Sequence, residues 1–297
     1  MELVVLVGPT GVGKTAFAIQ MAKDLGCPII NADSRQIYRE LPIGTAAPTK
    51  EEQAQVKHYF VGTKSITEDY NAGQYERDCL ALIEELTPIQ QAQGKQTIAV
   101  LTGGSMLYID AVCQGFDDIP SVPVDLRRQV QTLYATEGLT GLQRELQRLD
   151  PAYWEVVDQA NPQRLMHGIE ICLATGLTYS QHRKGAYKQR PFTIRKIGLR
   201  RDRNQLYQRI NLRVEKMMEA GLMNEAQQAF EQLELDGQQP LPNSLNTVGY
   251  KELYAYKQGL YTLDQAVAQI QQNSRHYAKR QMTWWNRDSQ INWIDLT

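Results

Sequence analysis

The chain opens on a run of apolar residues at 2–7, a glycine-rich turn, and a segment at 14–25 whose apolar positions recur at helical spacing. This pattern predicts a buried strand feeding a helix. A second apolar run at 28–32 predicts another strand. Runs at 58–61 and 97–101 predict two more, bracketing a helix over 74–91, and a further helix begins near Ser105. Apolar strands alternating with amphipathic helices predict a parallel sheet with helices on both faces. The pattern breaks over 115–123, where two prolines fall among turn formers. Helical periodicity resumes at 124–149 and 162–175, and 193–199 predicts a returning strand. From Asp202 onward the spacing is almost all helical, with interruptions at Gly221, around 240–242 and at Gly259. The expected fold is α/β: a parallel sheet flanked by helices over 1–114 and 190–297, a mostly helical insertion over 115–189, and a helical C-terminal region.

Composition narrows the partners. The 297 residues carry 32 Lys+Arg against 33 Asp+Glu, a formal net charge of −1, which by itself gives no support for a nucleic-acid partner. No apolar run approaches the ~20 residues needed to cross a bilayer, so no membrane association is expected. The four cysteines, Cys27, Cys79, Cys113 and Cys172, are scattered and suggest neither a zinc site nor a disulfide framework. A reducing cytoplasm is the expected location.

The strongest local signal is Gly8-Pro9-Thr10-Gly11-Val12-Gly13-Lys14-Thr15, a full match to G-x-x-x-x-G-K-[ST] between a predicted strand and a predicted helix. Its glycines let successive amides turn inward on an oxyanion, and the helix N-terminus adds to the field. Lys14 supplies a mobile cation and Thr15 a hydroxyl suited to Mg²⁺. Such a P-loop binds a diphosphate or triphosphate, and ATPases, kinases and transferases with a pyrophosphate leaving group can all share it. Asp33 follows the second strand and should emerge at the same sheet edge, where it could hold Mg²⁺ through water or take a proton.

With these residues in place the sequence resembles the tRNA dimethylallyltransferases (tRNA isopentenyltransferases). The resemblance is carried in collinear order by GPTGVGKT at 8–15, NADSRQIYRELPIGTAAP at 31–48, LTGGSMLYIDAV at 101–112, NPQRLMHGIE at 161–170, RINLRVEKMMEAGL at 209–222, NTVGYKEL at 246–253 and YAKRQMTWW at 277–285. It implies transfer of a dimethylallyl group from its diphosphate to N6 of the adenosine beside the anticodon, on its 3′ side, with release of diphosphate. It implies Asp33 as general base, and the cradle, Lys14, Mg²⁺ near Thr15 and Arg213 as the groups on the leaving diphosphate. It further implies a flipped base that meets Asp33, Ser34, Arg35 and Gln36, with Ser105 near the reacting groups and Arg127, Gln163 and Arg164 on the RNA. A monomer is expected. Family members usually have a lysine where this chain has Ala47, and a His-His pair where it has His58-Tyr59, so His58 is given no catalytic role. The zinc-finger extension of many eukaryotic members is absent, which implies a bacterial or organellar form.

Local charge sharpens the partner. Residues 183–203 hold nine basic side chains (Arg183, Lys184, Lys188, Arg190, Arg195, Lys196, Arg200, Arg201 and Arg203) against Asp202 alone, a net of +8 that leaves −9 for the rest. Interleaved with Tyr187 and Phe192, the segment reads as a stripe that tracks phosphates. His276 to Gln281 form a second basic cluster, and at least one of Trp284 and Trp285 is expected to pack in the core. Three rival readings compete: a small-molecule or nucleotide kinase, a nucleotide-dependent RNA-binding protein without chemistry, and an adenylate isopentenyltransferase, which the tRNA-type YAKRQMTW segment and the helical insertion disfavour.

Overall fold

The structure is a computed structural model; it describes all residues except 116, 118, 119, 121, 184, 186, 187, 238 and 239, so Lys184 and Tyr187 of the basic segment lie outside the described residues. The chain runs β1 (Glu2–Val7), α1 (Lys14–Leu25), β2 (Ile29–Asn31), α2 (Lys50–Gln55), β3 (His58–Tyr59), α3 (Ala72–Ala92), β4 (Ile98–Thr102) and α4 (Met106–Gln114). Four helices follow: α5 (Val124–Leu149), α6 (Pro151–Trp154), α7 (Pro162–Thr175) and α8 (Tyr179–His182). The chain returns through β5 (Thr193–Arg201), α9 (Arg203–Glu219), α10 (Leu222–Gln232), α11 (Tyr250–Lys257) and α12 (Leu263–Trp285), and ends in β6 (Asn292–Leu296). It divides into two compact units, Met1–Cys113 with Arg190–Thr297, and Gln114–Gln189.

In the first unit six strands form one sheet in the order β3-β2-β4-β1-β5-β6, with every pairing parallel. Alternation along β1 sends Leu3, Val5 and Val7 to one face and Val4 and Leu6 to the other, all fully buried. The first face packs on α3, α4, α10, α11 and α12, and the second on α1 and α9. A strand buried on both faces reads as a continuous apolar run, which is why β1 is visible in the sequence. Strand β6 is not. The helical expectation from Asp202 onward fails at 292–296, which pair in parallel with β5 from Ile197↔Asn292 to Arg201↔Leu296. This edge segment exposes Ile294 and carries Asp295, so its local pattern is not that of a buried strand; the free edge of β5 decides its conformation. No helix of the described residues is long and apolar enough to cross a membrane. All four cysteines are free and buried.

The second unit is helical. Val130, Leu142, Leu146, Tyr153, Leu165 and Ile169 make its core. Gly138 breaks α5 internally at φ 62°, ψ −156°. Asp150, fully buried, accepts from Tyr153 N at 3.0 Å, Ser180 N at 2.7 Å and Ser180 Oγ at 2.7 Å, so its charge is satisfied within the unit.

The structure divides the basic segment: of its described members, Arg183 and Lys188 belong to the second unit and Arg190, Arg195, Lys196, Arg200, Arg201 and Arg203 to the first. Arg190 is 2.6 Å from Glu76 in a buried ion pair, Arg195 pairs with Glu2 at 2.8 Å, Lys196 with Asp288 at 2.5 Å and Arg200 with Asp295 at 2.6 Å. Arg201 donates to the Thr297 carbonyl, and Arg203 lies over the Tyr207 ring. A +8 count along the sequence is therefore no +8 surface: acids from β1, α3, β6 and the loop after α12 pair with four of the nine basic side chains. Of the tryptophans, Trp285 is core and Trp284 donates its Nε1–H to Asp110 at 2.9 Å.

Candidate active site

The cradle leaves β1 at Gly8 and enters α1 at Lys14. Gly13 sits at φ 114°, a backbone that disfavours any L side chain, and a Cβ at Gly8 would fall 2.6 Å from the Leu199 carbonyl oxygen. Val12 is fully buried, so its side chain anchors the loop in the core. Lys14 Nζ donates to Gly8 O at 2.8 Å and Pro9 O at 3.0 Å, which folds the ammonium over the loop. Burial, and then the Arg213 guanidinium, push its pKa down to about 7, while Asp33 opposes them. This pocket favours an anion that restores the charge of Lys14.

Asp33 leaves β2 in a tight turn. Its Oδ1 accepts from Arg35 N at 2.9 Å and Gln36 N at 3.3 Å, and its Oδ2 accepts from Gly104 N at 3.1 Å. Gly104 is required: a Cβ there would fall 2.5 Å from Asp33 Oδ2. Three backbone donors from the two neighbouring strand ends thus fix the carboxylate plane. Ser34 and Ser105 bridge the same two turns, Ser34 N donating to Ser105 Oγ at 2.8 Å and the hydroxyls lying 2.9 Å apart.

Two clefts meet here. One, of about 430 Å³, is lined by Thr10, Gly11, Gly13, Lys14, Thr15, Asp33, Gln36, Arg209, Arg213 and Lys216 among others. The second, of about 310 Å³, is lined by Ser34, Arg35, Ser105, Val248, Ser274 and Arg280, and shares Thr10, Asp33, Thr45, Arg213 and Tyr277 with the first. Arg213 reaches the cradle from α9 and donates to Thr10 Oγ1 at 3.1 Å. Burial pulls its pKa below the ordinary guanidinium value, with Asp33 acting against the shift. The second cleft's wall is braced by Glu225, whose carboxylate accepts from Ile43 N at 2.7 Å, Gly44 N at 2.8 Å and the Tyr250 hydroxyl at 2.5 Å.

Comparison with known proteins decides the family. The family described as IPP transferase matches residues 36–288. The tRNA dimethylallyltransferase 2 of Parabacteroides distasonis is 51% identical over 295 residues, 99% of this chain and 94% of the relative. The tRNA dimethylallyltransferase 1 of Bacteroides fragilis is 50% identical over 292 residues, 98% of this chain and 93% of the relative. The chain belongs to the tRNA dimethylallyltransferase family. Solved members share the fold: the tRNA isopentenylpyrophosphate transferase of Bacillus halodurans superimposes with a TM-score of 0.69 at 33% identity, covering 99% of this chain and 89% of that one. A eukaryotic dimethylallyltransferase acting on tRNA gives a TM-score of 0.80 at 25% identity, covering 99% and 73%.

Within this member of the tRNA dimethylallyltransferase family the sequence-derived residues separate. Lys14, Thr15, Asp33 and Arg213 converge on the first cleft. Ser34, Arg35 and Ser105 line the second, with Arg35 also donating to the Asn243 carbonyl and side chain. Gln36 faces the first cleft and donates to Thr45 O and Ala46 O, both at 3.1 Å. Arg127, Gln163 and Arg164 lie exposed in the second unit, where Arg127 is close enough to His167 to lower its pKa after burial has done so. His58 lines the first cleft, its Nδ1 2.7 Å from Val56 O. Arg209 and Lys216 were missed, although they stand four residues before and three after Arg213, the spacing that puts all three on one face of α9. Tyr277 and Gln281 of α12 fall within the YAKRQMTWW motif at 277–285 but were given no site role there; both line the first cleft.

Proposed function

We propose that the protein transfers a dimethylallyl group from dimethylallyl diphosphate to N6 of the adenosine 3′-adjacent to the anticodon of tRNA, releasing diphosphate. One observation carries this reading: Asp33 and Arg213 stand in the wall common to both clefts. The diphosphate belongs in the first cleft, against the cradle amides, Lys14 and Arg213. The adenine belongs in the second, which supports a base taken out of the anticodon stack and offered to Asp33 from the side of Ser34, Arg35 and Ser105. Gln36, on the cradle side, is assigned to the same turn as Asp33. As the allylic C1–O bond breaks, its electron pair stays on the diphosphate, where Lys14 and Arg213 stabilise the developing charge. The N6 lone pair forms the new C–N bond, and a proton leaves N6 for the Asp33 carboxylate.

Magnesium fits these residues. It keeps most of its waters and takes one or two protein oxygens besides substrate phosphates, and the Thr15 hydroxyl lines the first cleft beside the cradle amides. Bound there, it would neutralise charge on the leaving diphosphate. Arg127, Gln163 and Arg164 are assigned to the RNA, as phosphate and neighbouring-base contacts of the second unit. Every group named comes from one chain, so a monomer suffices.

The test is direct: incubate the protein with Mg²⁺, dimethylallyl diphosphate and unmodified tRNA, digest the RNA and analyse nucleosides by mass spectrometry. Isopentenyladenosine is expected. Product with AMP but none with tRNA would overturn the proposal.

A further inference from the structure

Gln281 lies on α12 with 0% of its surface exposed. A buried amide must satisfy a donor and an acceptor at once, and Gln281 does so with backbone from two distant loops. Its Oε1 accepts from Thr10 N at 2.8 Å, and its Nε2 donates to Gly104 O at 2.9 Å. Both partners continue toward the site. Thr10 Oγ1 accepts from Arg213 at 3.1 Å, and Gly104 N donates to Asp33 Oδ2 at 3.1 Å. One helical turn earlier, the Tyr277 hydroxyl donates to the same Gly104 carbonyl at 2.7 Å. A continuous path therefore runs Arg213, Thr10, Gln281, Gly104, Asp33, with Gln281 as the middle link.

We infer that Gln281 is a positioning residue that fixes the Asp33 carboxylate relative to the phosphate cradle and Arg213. The inference rests on the reading of Asp33 as proton acceptor and of Arg213 as a diphosphate group. The two act at opposite ends of one displacement: Arg213 on the oxygen that leaves, Asp33 on the nitrogen that attacks. Their separation must match the distance across the reacting carbon, and a misplacement of ~1 Å can cost ~10²-fold in rate. Packing alone does not require an amide at this place, since methionine has nearly the same length and volume. Spacing the two loops does require one, because the group must accept from an N–H on one side and donate to a carbonyl on the other. Glutamate lacks the donor and lysine the acceptor.

The experiment compares Gln281→Met in the wild-type and Asp33→Ala backgrounds, using single-turnover kinetics with tRNA and dimethylallyl diphosphate. Gln281→Met is expected to lower the chemical rate ~10–100-fold in the wild-type background, with KM for dimethylallyl diphosphate changed less than ~3-fold. In the Asp33→Ala background the same substitution is expected to cost less than ~3-fold, because the group it positions is gone. A rate within twofold of wild type, or an equal loss in both backgrounds, overturns the inference. Should Gln281→Met not fold by thermal melting, Gln281→Asn decides. It keeps both amide groups but is one methylene too short to reach Thr10 N and Gly104 O together, so a rate loss of ~3–10-fold at unchanged KM that shrinks in the Asp33→Ala background supports the inference and an unchanged rate overturns it. Failure of the transferase reading is separate, since the wild-type protein itself would then yield no isopentenyladenosine.

Discussion

Lys14 is held where burial and the Arg213 guanidinium both work against its charge, and its pKa falls to about 7. A diphosphate beside it favours the ammonium, so in the complex the pKa rises again. Binding then takes up a proton at any pH between about 7 and the higher value of the complex. Affinity for dimethylallyl diphosphate is accordingly expected to be greatest below pH 7 and to fall as pH rises above it, by up to ~10-fold per unit. Isothermal titration in buffers of different ionisation enthalpy measures both the affinity and the proton uptake, and Lys14→Met should flatten them. Asp33→Ala is expected to reduce turnover ~10²–10⁴-fold while tRNA affinity drops less; unchanged turnover would remove Asp33 as the base. Both residues were legible as candidates because each follows a strand inside a short motif, although the Gly104 donor that completes the Asp33 turn comes from 71 residues away. Gln281 lies within the YAKRQMTWW motif, but its proposed role was not legible, because its partners are backbone groups at positions 10 and 104.

At the scale of elements, α9 is the part of the site built by helical spacing. Arg209, Arg213 and Lys216 line the first cleft from one face of this helix, and Arg209 donates to Gly11 O at 2.9 Å. Arg209→Ala should weaken dimethylallyl diphosphate binding ~10-fold, the scale of one charge-assisted hydrogen bond, with a smaller effect on the rate at saturation; substrate-dependence kinetics separate the two. The long elements were read to within a few residues. Predicted helices over 14–25, 124–149 and 162–175 coincide with α1, α5 and α7, and the strand at 2–7 with β1. Short elements escaped. The helices α2, α6 and α8 hold six residues or fewer, too few for a periodic signature, and β6 draws its conformation from the edge of β5.

For the whole molecule, charge is the property that linear reading treats least well. The tRNA contacts proposed for Arg127 and Arg164 imply that replacing either by alanine weakens tRNA binding evenly and lowers the salt dependence of log K by ~1, without affecting dimethylallyl diphosphate. Arg195→Ala, whose side chain is engaged by Glu2 at 2.8 Å, should leave that slope unchanged. Filter binding over a range of salt concentrations tests the pair. The sequence alone determined the parallel α/β core, the interruption between positions 114 and 190 and the family, and it put the 8–15 turn and Asp33 at strand ends, because strand and helix periodicity and contiguous motifs are properties of neighbouring residues. Tertiary structure alone decided which arginines remain unpaired, how α9 and α12 close over the cradle, and that Asp33 and Arg213 share one wall between two clefts. Each of these depends on residues brought together from far apart in the chain, as Arg190 meets Glu76 and Gln281 meets Thr10, and an ion pair or a buried amide is satisfied by whatever lies within about 3 Å in space, whatever its distance in sequence.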